Sequence, residues 1–176
     1  MSGGARERAC AFAPASVGNV AIGFDILGFS VETLGDRVTV ARRPEPGVAI
    51  SAVRGIAGEL PHEPRDNTAG RALLALQEAV RPGFGFVLEI DKGIPLGSGL
   101  GGSAASAVGA VVAANALLPQ PCSRPELLKF ARAGEAVARS RGPPLTAGPR
   151  DRPRAAGGPR TPRPRSPRVR PRAPAR

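Results

Sequence analysis

A glycine-rich segment at residues 94–106 is the part of the sequence best suited to chemistry. It reads Ile-Pro-Leu-Gly-Ser-Gly-Leu-Gly-Gly-Ser-Ala-Ala-Ser and runs into an alanine-rich apolar stretch that ends near residue 118. Glycines allow positive φ and close approach of another group, and the first N–H groups of the following helix carry the positive end of its dipole. The segment therefore predicts a loop that holds a phosphate through its main chain.

A second interpretation of this segment is a tight connection between a strand and a helix that binds nothing. No lysine follows the last glycine, so the loop is not of the Walker type, and a glycine-rich loop alone is a weak indication of phosphate binding. Residues elsewhere in the chain are needed to decide between the two interpretations.

Four other polar residues are candidates for a site. Asn19 and Asp25 are the only strongly polar side chains of a glycine-interrupted segment at residues 17–28, although a turn residue and a helix cap would also explain them. Glu135 is predicted in the last turn of a helix, where the dipole disfavours a carboxylate. This hints at another role, although an exposed surface glutamate is the simpler interpretation. His62, the only histidine, is interpreted as an exposed loop residue and not as a catalytic one.

Alternating apolar residues predict the strands that would position these groups. Residues 10–16 read as extended, and residues 37–42 and 47–53 read as two strands joined in a hairpin. A further strand at about residues 86–91 leads directly into the glycine-rich segment. That segment is therefore predicted to connect a strand to a helix.

Capping residues and apolar faces predict three helices, at about residues 68–80, 103–118 and 123–137. Asp66 or Asn67 can cap the first of them. Ser123 and Glu126 form a capping box in front of the third. The sequence contains no internal repeat.

Charge is distributed unevenly along the 176 residues. Residues 1–138 contain 13 Lys and Arg against 13 Asp and Glu, whereas residues 139–176 contain 12 Arg against one Asp. The second segment also holds 10 of the 20 prolines and few large apolar residues, so it cannot bury enough surface to offset its chain entropy. We therefore predict one folded domain at residues 8–138 and a disordered tail, rich in arginine and proline, at residues 139–176.

The composition excludes several classes of protein. The two cysteines, Cys10 and Cys122, form neither a disulfide framework nor a Cys/His metal cluster. The first residues lack the apolar core of a signal peptide, and the longest apolar run, at residues 104–118, is too short to span a bilayer. The chain is therefore expected to be cytoplasmic and to have no membrane partner.

Three stretches of the sequence, in order, resemble one family. They are residues 13–28, which include Gly-Phe-Asp-Ile-Leu-Gly, residues 60–67, which read Leu-Pro-His-Glu-Pro-Arg-Asp-Asn, and residues 95–103 of the glycine-rich segment. Together they resemble the homoserine kinases, which are GHMP small-molecule kinases. The resemblance covers about residues 8–138 and implies an α+β fold, the N-terminal GHMP kinase domain with a ribosomal protein S5 domain 2-like architecture.

The resemblance implies a reaction, the transfer of the ATP γ-phosphoryl group to the hydroxyl of L-homoserine. The product would be O-phospho-L-homoserine, a step toward threonine, with ATP and Mg²⁺ as cofactors and a homodimer as one expectation for the full-length family. Another acceptor alcohol, such as mevalonate or shikimate, is an alternative. A non-catalytic fragment whose basic tail binds nucleic acid is a less favoured one, because charge runs are more often solvated tails.

The resemblance also implies roles for individual residues. Asn19 and Asp25 would hold the amino acid substrate, with Asp25 paired to its ammonium group. Asn67 would contact the adenine side of the nucleotide, and Ser103 and Glu135 would be ligands of Mg²⁺. The ATP phosphates would lie against the backbone N–H groups of a loop composed of Pro95, Leu96, Gly97, Ser98, Gly99, Leu100, Gly101, Gly102, Ser103, Ala104 and Ala105.

The sequence departs from the family pattern in two places. Gly102 replaces the first of two serines, which should weaken phosphate binding by about 0.5–1.5 kcal/mol. The His-x-x-Asn element expected about eight residues after Glu135 is missing, because Pro143 and Thr146 stand at its positions. No catalytic residue is therefore assigned.

We hypothesise that the reading frame changes near codon 138, and we expect the 176-residue chain to have little or no kinase activity. Resequencing the gene across codons 130–176 and beyond, and translating all three frames, should uncover a His-x-x-Asn element in another frame. Its absence from both alternative frames would contradict the hypothesis. Homoserine-dependent ADP release by the purified chain would contradict the expected loss of activity.

Overall fold

The computed structural model describes residues 6–18, 20, 26–56 and 60–141, which form a four-stranded sheet and three α-helices. The strands are β1 (Arg8–Val17), β2 (Phe29–Arg43), β3 (Val48–Gly55) and β4 (Gly85–Lys92). The helices are α1 (Thr68–Val80), α2 (Gly102–Asn115) and α3 (Arg124–Arg141), and a 3₁₀ turn (Pro64–Asp66) precedes α1. The predicted α+β class is confirmed. By its contacts the chain divides into Met1–Pro143 and a second unit, Pro144–Arg176, which lies outside the described residues.

The strands lie in the order β1-β2-β4-β3. β2 pairs antiparallel with both β1 and β4, whereas β3 pairs parallel with β4. The predicted hairpin between residues 37–42 and 47–53 is therefore wrong. After β3 the chain crosses over through α1 and returns as β4, which lies between the two strands, as parallel pairing requires a crossover connection.

The position of β4 follows from its composition. Phe86, Leu88 and Ile90 are almost completely buried, and half-buried Val87 lies on the other face, so β4 is the strand that gains most from neighbours on both sides. The four residues between β2 and β3 do not form a tight turn. Instead, the N–H of Phe86 donates to the carbonyl of Gly47 at 2.9 Å, which holds the start of β4 between β2 and β3.

The core lies between the sheet and the helices. α1 and α2 pack on one face of the sheet, and α3 packs against α1 and α2. The buried face of α2 consists mainly of small residues, which lets it lie close to its neighbours. A Cβ atom at Gly109 would lie 2.9 Å from Cγ2 of Val38. None of the helices in the described ranges is long and apolar enough to cross a membrane.

The helices begin close to the predicted residues but differ at two ends, since α2 ends at Asn115 instead of near residue 118 and α3 is longer than predicted. Of the two residues that could cap α1, Asn67 is the one whose side chain accepts hydrogen bonds from the helix. The predicted capping box is present in front of α3, because the N–H of Ser123 donates to Oε2 of Glu126 at 2.8 Å. The helix continues to Arg141, so the expectation that Glu135 lies in its last turn is wrong.

The cap of α3 predicts a pH-dependent contribution to stability. Hydrogen bonds from the hydroxyl and the N–H of Ser123 hold the pKa of Glu126 below its ordinary value of 4.5. A depressed pKa stabilises the folded protein above the unfolded pKa, and the contribution disappears as the pH falls through the folded pKa. Glu126→Gln should therefore lower the melting temperature at pH 7 and have a smaller effect at pH 3.

Thermal unfolding followed by circular dichroism at the two pH values measures this difference. Glu32→Gln, which changes an exposed carboxylate on β2, is the control for lost surface charge. An equal decrease for Glu126→Gln at both pH values would contradict the ionised cap.

Candidate functional site

The glycine-rich segment forms an open loop between β4 and α2. Gly97, Gly99 and Gly101 have φ values of 70°, 74° and 69°, in the left-handed region that favours glycine. Residues 95–99 and 101–103 line a cavity of about 260 Å³. Side chains at Gly97 or Gly99 would meet nothing within 4 Å, so the loop backbone is open to an approaching group.

The start of α2 carries no side-chain cap. Gly101 is the N-cap residue, and the first helical hydrogen bond runs from the N–H of Ala105 to its carbonyl at 2.9 Å. The N–H groups of Gly102, Ser103 and Ala104 lie ahead of this bond. This arrangement of backbone donors at the positive end of a helix favours an anion such as phosphate, as the sequence predicts.

Strand β1 ends against the same loop. The N–H of Ser16 donates to the carbonyl of Leu100 at 3.0 Å, and a Cβ atom at Gly101 would lie 2.6 Å from the Ser16 hydroxyl. The end of β1 therefore lies beside Gly101, one of the residues that line the cavity. Asn19 and Asp25, the predicted substrate ligands, lie outside the described residues.

Asn67 has a structural role in the folded domain. Its side chain is 5% exposed, and its Oδ1 accepts from the N–H groups of Ala69 at 3.0 Å and Gly70 at 3.3 Å. Its Nδ2 donates to the carbonyl of Pro61 at 3.0 Å. Asn67 thus caps α1 and holds the preceding loop, and its predicted contact with adenine stays a prediction.

Ser103 lies on α2 and Glu135 on α3, in regions where these two helices and the start of α1 pack together. The carbonyl of Ser103 accepts from the hydroxyl of Thr68 at 3.3 Å, which joins the starts of α1 and α2. Gly134 on α3 packs against the carbonyl of Thr68, and a Cβ atom there would lie 3.3 Å from that of Ala107, one turn beyond Ser103. The fold therefore places Glu135 on the part of α3 that packs beside the start of α2.

Glu135 has an unusual environment for a carboxylate. Its Oε1 is buried and has no hydrogen-bond partner in the described structure, which is costly for a polar atom. A carboxylate and a hydroxyl are ligands suited to Mg²⁺, which commonly takes one or two protein carboxylates together with phosphate oxygens and water. Among the described residues, no three His, Cys, Asp or Glu side chains cluster to hold a metal by themselves. The donors present therefore fit Mg²⁺ held jointly with a phosphate ligand.

A buried group that the sequence analysis missed lies directly beneath the loop. Asp36 on β2 is completely buried and forms an ion pair with Lys92, the last residue of β4, which is 3% exposed. Ser106 on α2 completes the group, since its hydroxyl donates to Asp36 at 2.7 Å. The one signal in the sequence was a lysine at the end of strand β4, a position that more often lies in solvent.

Three other residues singled out in the sequence remain to be placed. His62 is exposed in the loop before α1, as predicted. Pro143 and Thr146, which occupy the positions of the missing His-x-x-Asn element, lie outside the described residues.

Comparison with known sequences shows which protein family this chain is similar to. Residues 67–146 match the profile of the GHMP kinases N terminal domain. The chain is 58% identical over 134 residues to the homoserine kinase of Xylella fastidiosa (strain 9a5c), an alignment that covers 76% of this chain and 42% of the relative. The chain thus spans about two fifths of the length of the curated relatives that it matches.

Comparison with solved structures agrees. A homoserine kinase from Cytophaga hutchinsonii matches with a TM-score of 0.72 and 41% identity, over 77% of this chain and 43% of that one. A mevalonate kinase from L. major, solved in complex with R-mevalonate, matches with a TM-score of 0.58 over 78% of this chain and 45% of that one. Its 17% identity shows a shared fold alone.

Removing the Asn67 side chain should destabilise the domain. Asn67→Ala leaves the N–H groups of Ala69 and Gly70 and the carbonyl of Pro61 without partners, so we expect a loss of about 1–2 kcal/mol in the free energy of unfolding. Asn67→Ser retains a capping oxygen and should recover part of this loss. Urea denaturation measures both variants, and an unchanged stability of Asn67→Ala would show that the cap contributes nothing.

Proposed function

From the premise that this chain belongs to the GHMP kinases, whose N-terminal domain it carries, we propose that it is part of a kinase that phosphorylates L-homoserine, an activity we expect to be impaired or lost in the 176-residue chain. The γ-phosphoryl group of ATP passes to the homoserine hydroxyl and gives O-phospho-L-homoserine and ADP. The similarity to homoserine kinases, 58% in sequence and 41% in a solved structure, supports this acceptor over mevalonate, for which the likeness is one of fold. The observation that carries the nucleotide part of the proposal is the uncapped start of α2 beneath an open glycine loop.

The loop formed by residues 95–105 holds the ATP phosphates through its main chain in this proposal. Phosphoryl transfer requires a protein mainly to position the donor and acceptor and to neutralise spreading negative charge. Backbone N–H groups fixed at a helix start do both without reorganising, because their direction is set by the fold. Gly102, where the family pattern has a serine, supplies its N–H but no hydroxyl.

Ser103 and Glu135 would hold Mg²⁺, with the Ser103 hydroxyl and the Glu135 carboxylate as its protein ligands. The ion, when bound, neutralises negative charge on the phosphates. The buried Oε1 of Glu135 supports this role. It has no hydrogen-bond partner in the described structure, and a bound metal ion would provide a partner for it.

The remaining roles follow from the resemblance. Asn67, besides capping α1, would lie on the adenine side of the nucleotide, and Asn19 and Asp25 would hold homoserine, with Asp25 against its ammonium group. The folded part at residues 8–138 would be the nucleotide-binding domain, and residues 139–176 a disordered tail. The reaction would take place in the cytoplasm as a step toward threonine, with a homodimer as the form of the full-length enzyme.

The acceptor is tested on a full-length version of the protein, which is incubated with ATP, Mg²⁺ and each of L-homoserine, mevalonate and shikimate while ADP is measured. Turnover with homoserine alone supports the proposal, and turnover with another alcohol instead would overturn the acceptor assignment. Because the 176-residue chain is expected to turn over little, calorimetric titration with MgATP accompanies the assay. A chain that is folded and does not bind MgATP would overturn the nucleotide site.

The glycine loop gives a second prediction. Gly99→Ala places a side chain at φ 74° within the loop, which strains or shifts its backbone, so the affinity for ATP should fall about tenfold. Gly83→Ala is a matched control, because Gly83 has φ 81° and the same open surroundings but precedes β4. Equal ATP affinities for the two variants in calorimetry would argue against binding at the loop.

Glu135 gives a third prediction. Glu135→Gln should abolish the increase in ATP affinity that Mg²⁺ causes and leave the affinity without Mg²⁺ unchanged. It should not lower the stability, because no hydrogen bond to Oε1 is lost. Glu78→Gln, on the exposed part of α1, is the control. Titrations with and without Mg²⁺ measure the effect, and an unchanged response to Mg²⁺ would remove Glu135 from the metal site.

A further inference from the structure

We propose that Asp36, Lys92 and Ser106 form a buried clamp that fixes both ends of the glycine loop, and that Lys92 acts through this clamp and not by contacting the bound anion. The identity of the anion as an ATP phosphate rests on the proposed function, whereas the clamp itself rests on the contacts of these three side chains. They are therefore positioning residues. The name loop clamp is used for them below.

The carboxylate of Asp36 holds the first end of the loop. Its Oδ1 accepts from the N–H of Gly93 at 3.1 Å and from the N–H of Ile94 at 3.2 Å, directly after β4. The backbones of Gly35 and Gly93 approach so closely that a Cβ atom at Gly93 would overlap the carbonyl of Gly35. This approach brings Asp36 within reach of the two N–H groups.

The ammonium group of Lys92 holds the second end. Its Nζ donates to the carbonyl of Gly102 at 2.8 Å and to the hydroxyl of Ser106 at 2.9 Å, and it also contacts Oδ2 of Asp36. Three partners use the three protons of a lysine ammonium group. With a side chain 2% exposed, Lys92 has no proton and no surface left for a ligand in the loop.

The contact with Gly102 holds the peptide group between Gly102 and Ser103 at the start of α2. In a trans peptide the carbonyl and the following N–H point in opposite directions. Because the carbonyl of Gly102 is directed at the buried Lys92, the N–H of Ser103 is directed away from it. The clamp thus supports the helical orientation of this peptide group, in which the N–H of Ser103 points away from the interior and a phosphate oxygen could accept from it.

The charges of the clamp also argue against attraction of an anion by Lys92 from a distance. Asp36 and Lys92 neutralise each other at contact distance, so the pair adds little net field at the loop. The attraction for an anion then comes from the loop N–H groups and the dipole of α2. A lysine that bound phosphate directly would instead need its charge uncompensated.

Asp36→Asn, Lys92→Met and the double variant separate the two roles of Lys92. If the clamp acts as a unit, each single variant should weaken ATP binding about tenfold, and the double variant should be no weaker than the worse single one. If Lys92 binds the phosphate itself, Asp36→Asn releases its ammonium group and should keep or raise the ATP affinity. Calorimetry at fixed ionic strength measures the affinities, and that second pattern would overturn the proposal.

Ser106→Ala keeps the proposal testable if the charge variants do not fold, because it removes a bridging hydroxyl without leaving a charge unpaired. Amide hydrogen exchange measured by mass spectrometry without ligand should become faster, by about fivefold, in peptides covering residues 94–104 and stay unchanged in α1. Ser51→Ala is the matched control, since its hydroxyl donates to the carbonyl of Leu88 at 3.2 Å, within the sheet. Unchanged exchange in residues 94–104 would overturn the clamp.

The exchange experiment also separates the two proposals, because it requires no nucleotide. Faster exchange in the loop of Ser106→Ala, together with a folded wild-type chain that does not bind ATP, would retain the clamp and reject the proposed function. Unchanged exchange together with normal ATP binding by the wild-type chain would do the reverse.

Discussion

The buried ion pair between Asp36 and Lys92 is the interaction on which the arrangement of the site depends. It joins β2, the end of β4 and the start of α2, and every backbone group that it binds lies at one end of the glycine loop. Burying two charges is expensive, and such pairs are often no more stabilising than apolar residues of the same size. Removing one partner, however, leaves an uncompensated charge at a cost of about 3–5 kcal/mol. The pair therefore restricts the geometry of the loop more than it adds to stability.

The local elements of the fold could be predicted from the sequence, and their arrangement could not. Capping residues and apolar periodicity located the three helices, because these signals act within a few residues of each other. The predicted hairpin between β2 and β3 was wrong because the short segment joining the two strands was interpreted as a turn. In the sheet, β4, about 40 residues later, lies between them, because its apolar residues are buried when it has a neighbouring strand on each side. Whether β3 or β4 pairs with β2 depends on burial across the whole sheet, and a local sequence pattern does not contain that information.

The candidate site shows the same division. Glycines in front of an alanine-rich helix predict the open loop at residues 95–105, because its positive φ angles favour this residue type. Glu135 could be connected with the loop only through the family resemblance, since its relation to Ser103 depends on how α3 packs on α1 and α2. Asp36 and Lys92 escaped notice because a charged residue in a strand looks the same in the sequence whether it lies in solvent or in the core.

In the proposed function, the loop clamp lets a glycine loop without a lysine hold a phosphate. A flexible loop with several glycines would lose much conformational entropy on binding, and that loss would cancel part of the gain from its hydrogen bonds. Fixing Gly93 and Ile94 at one end and Gly102 at the other restricts the loop before the ligand arrives. The same argument makes glycine acceptable at position 102, since the clamp binds its carbonyl and a bound anion would need only its N–H. The side chain at this position can be absent as long as the peptide groups on either side of it keep their direction.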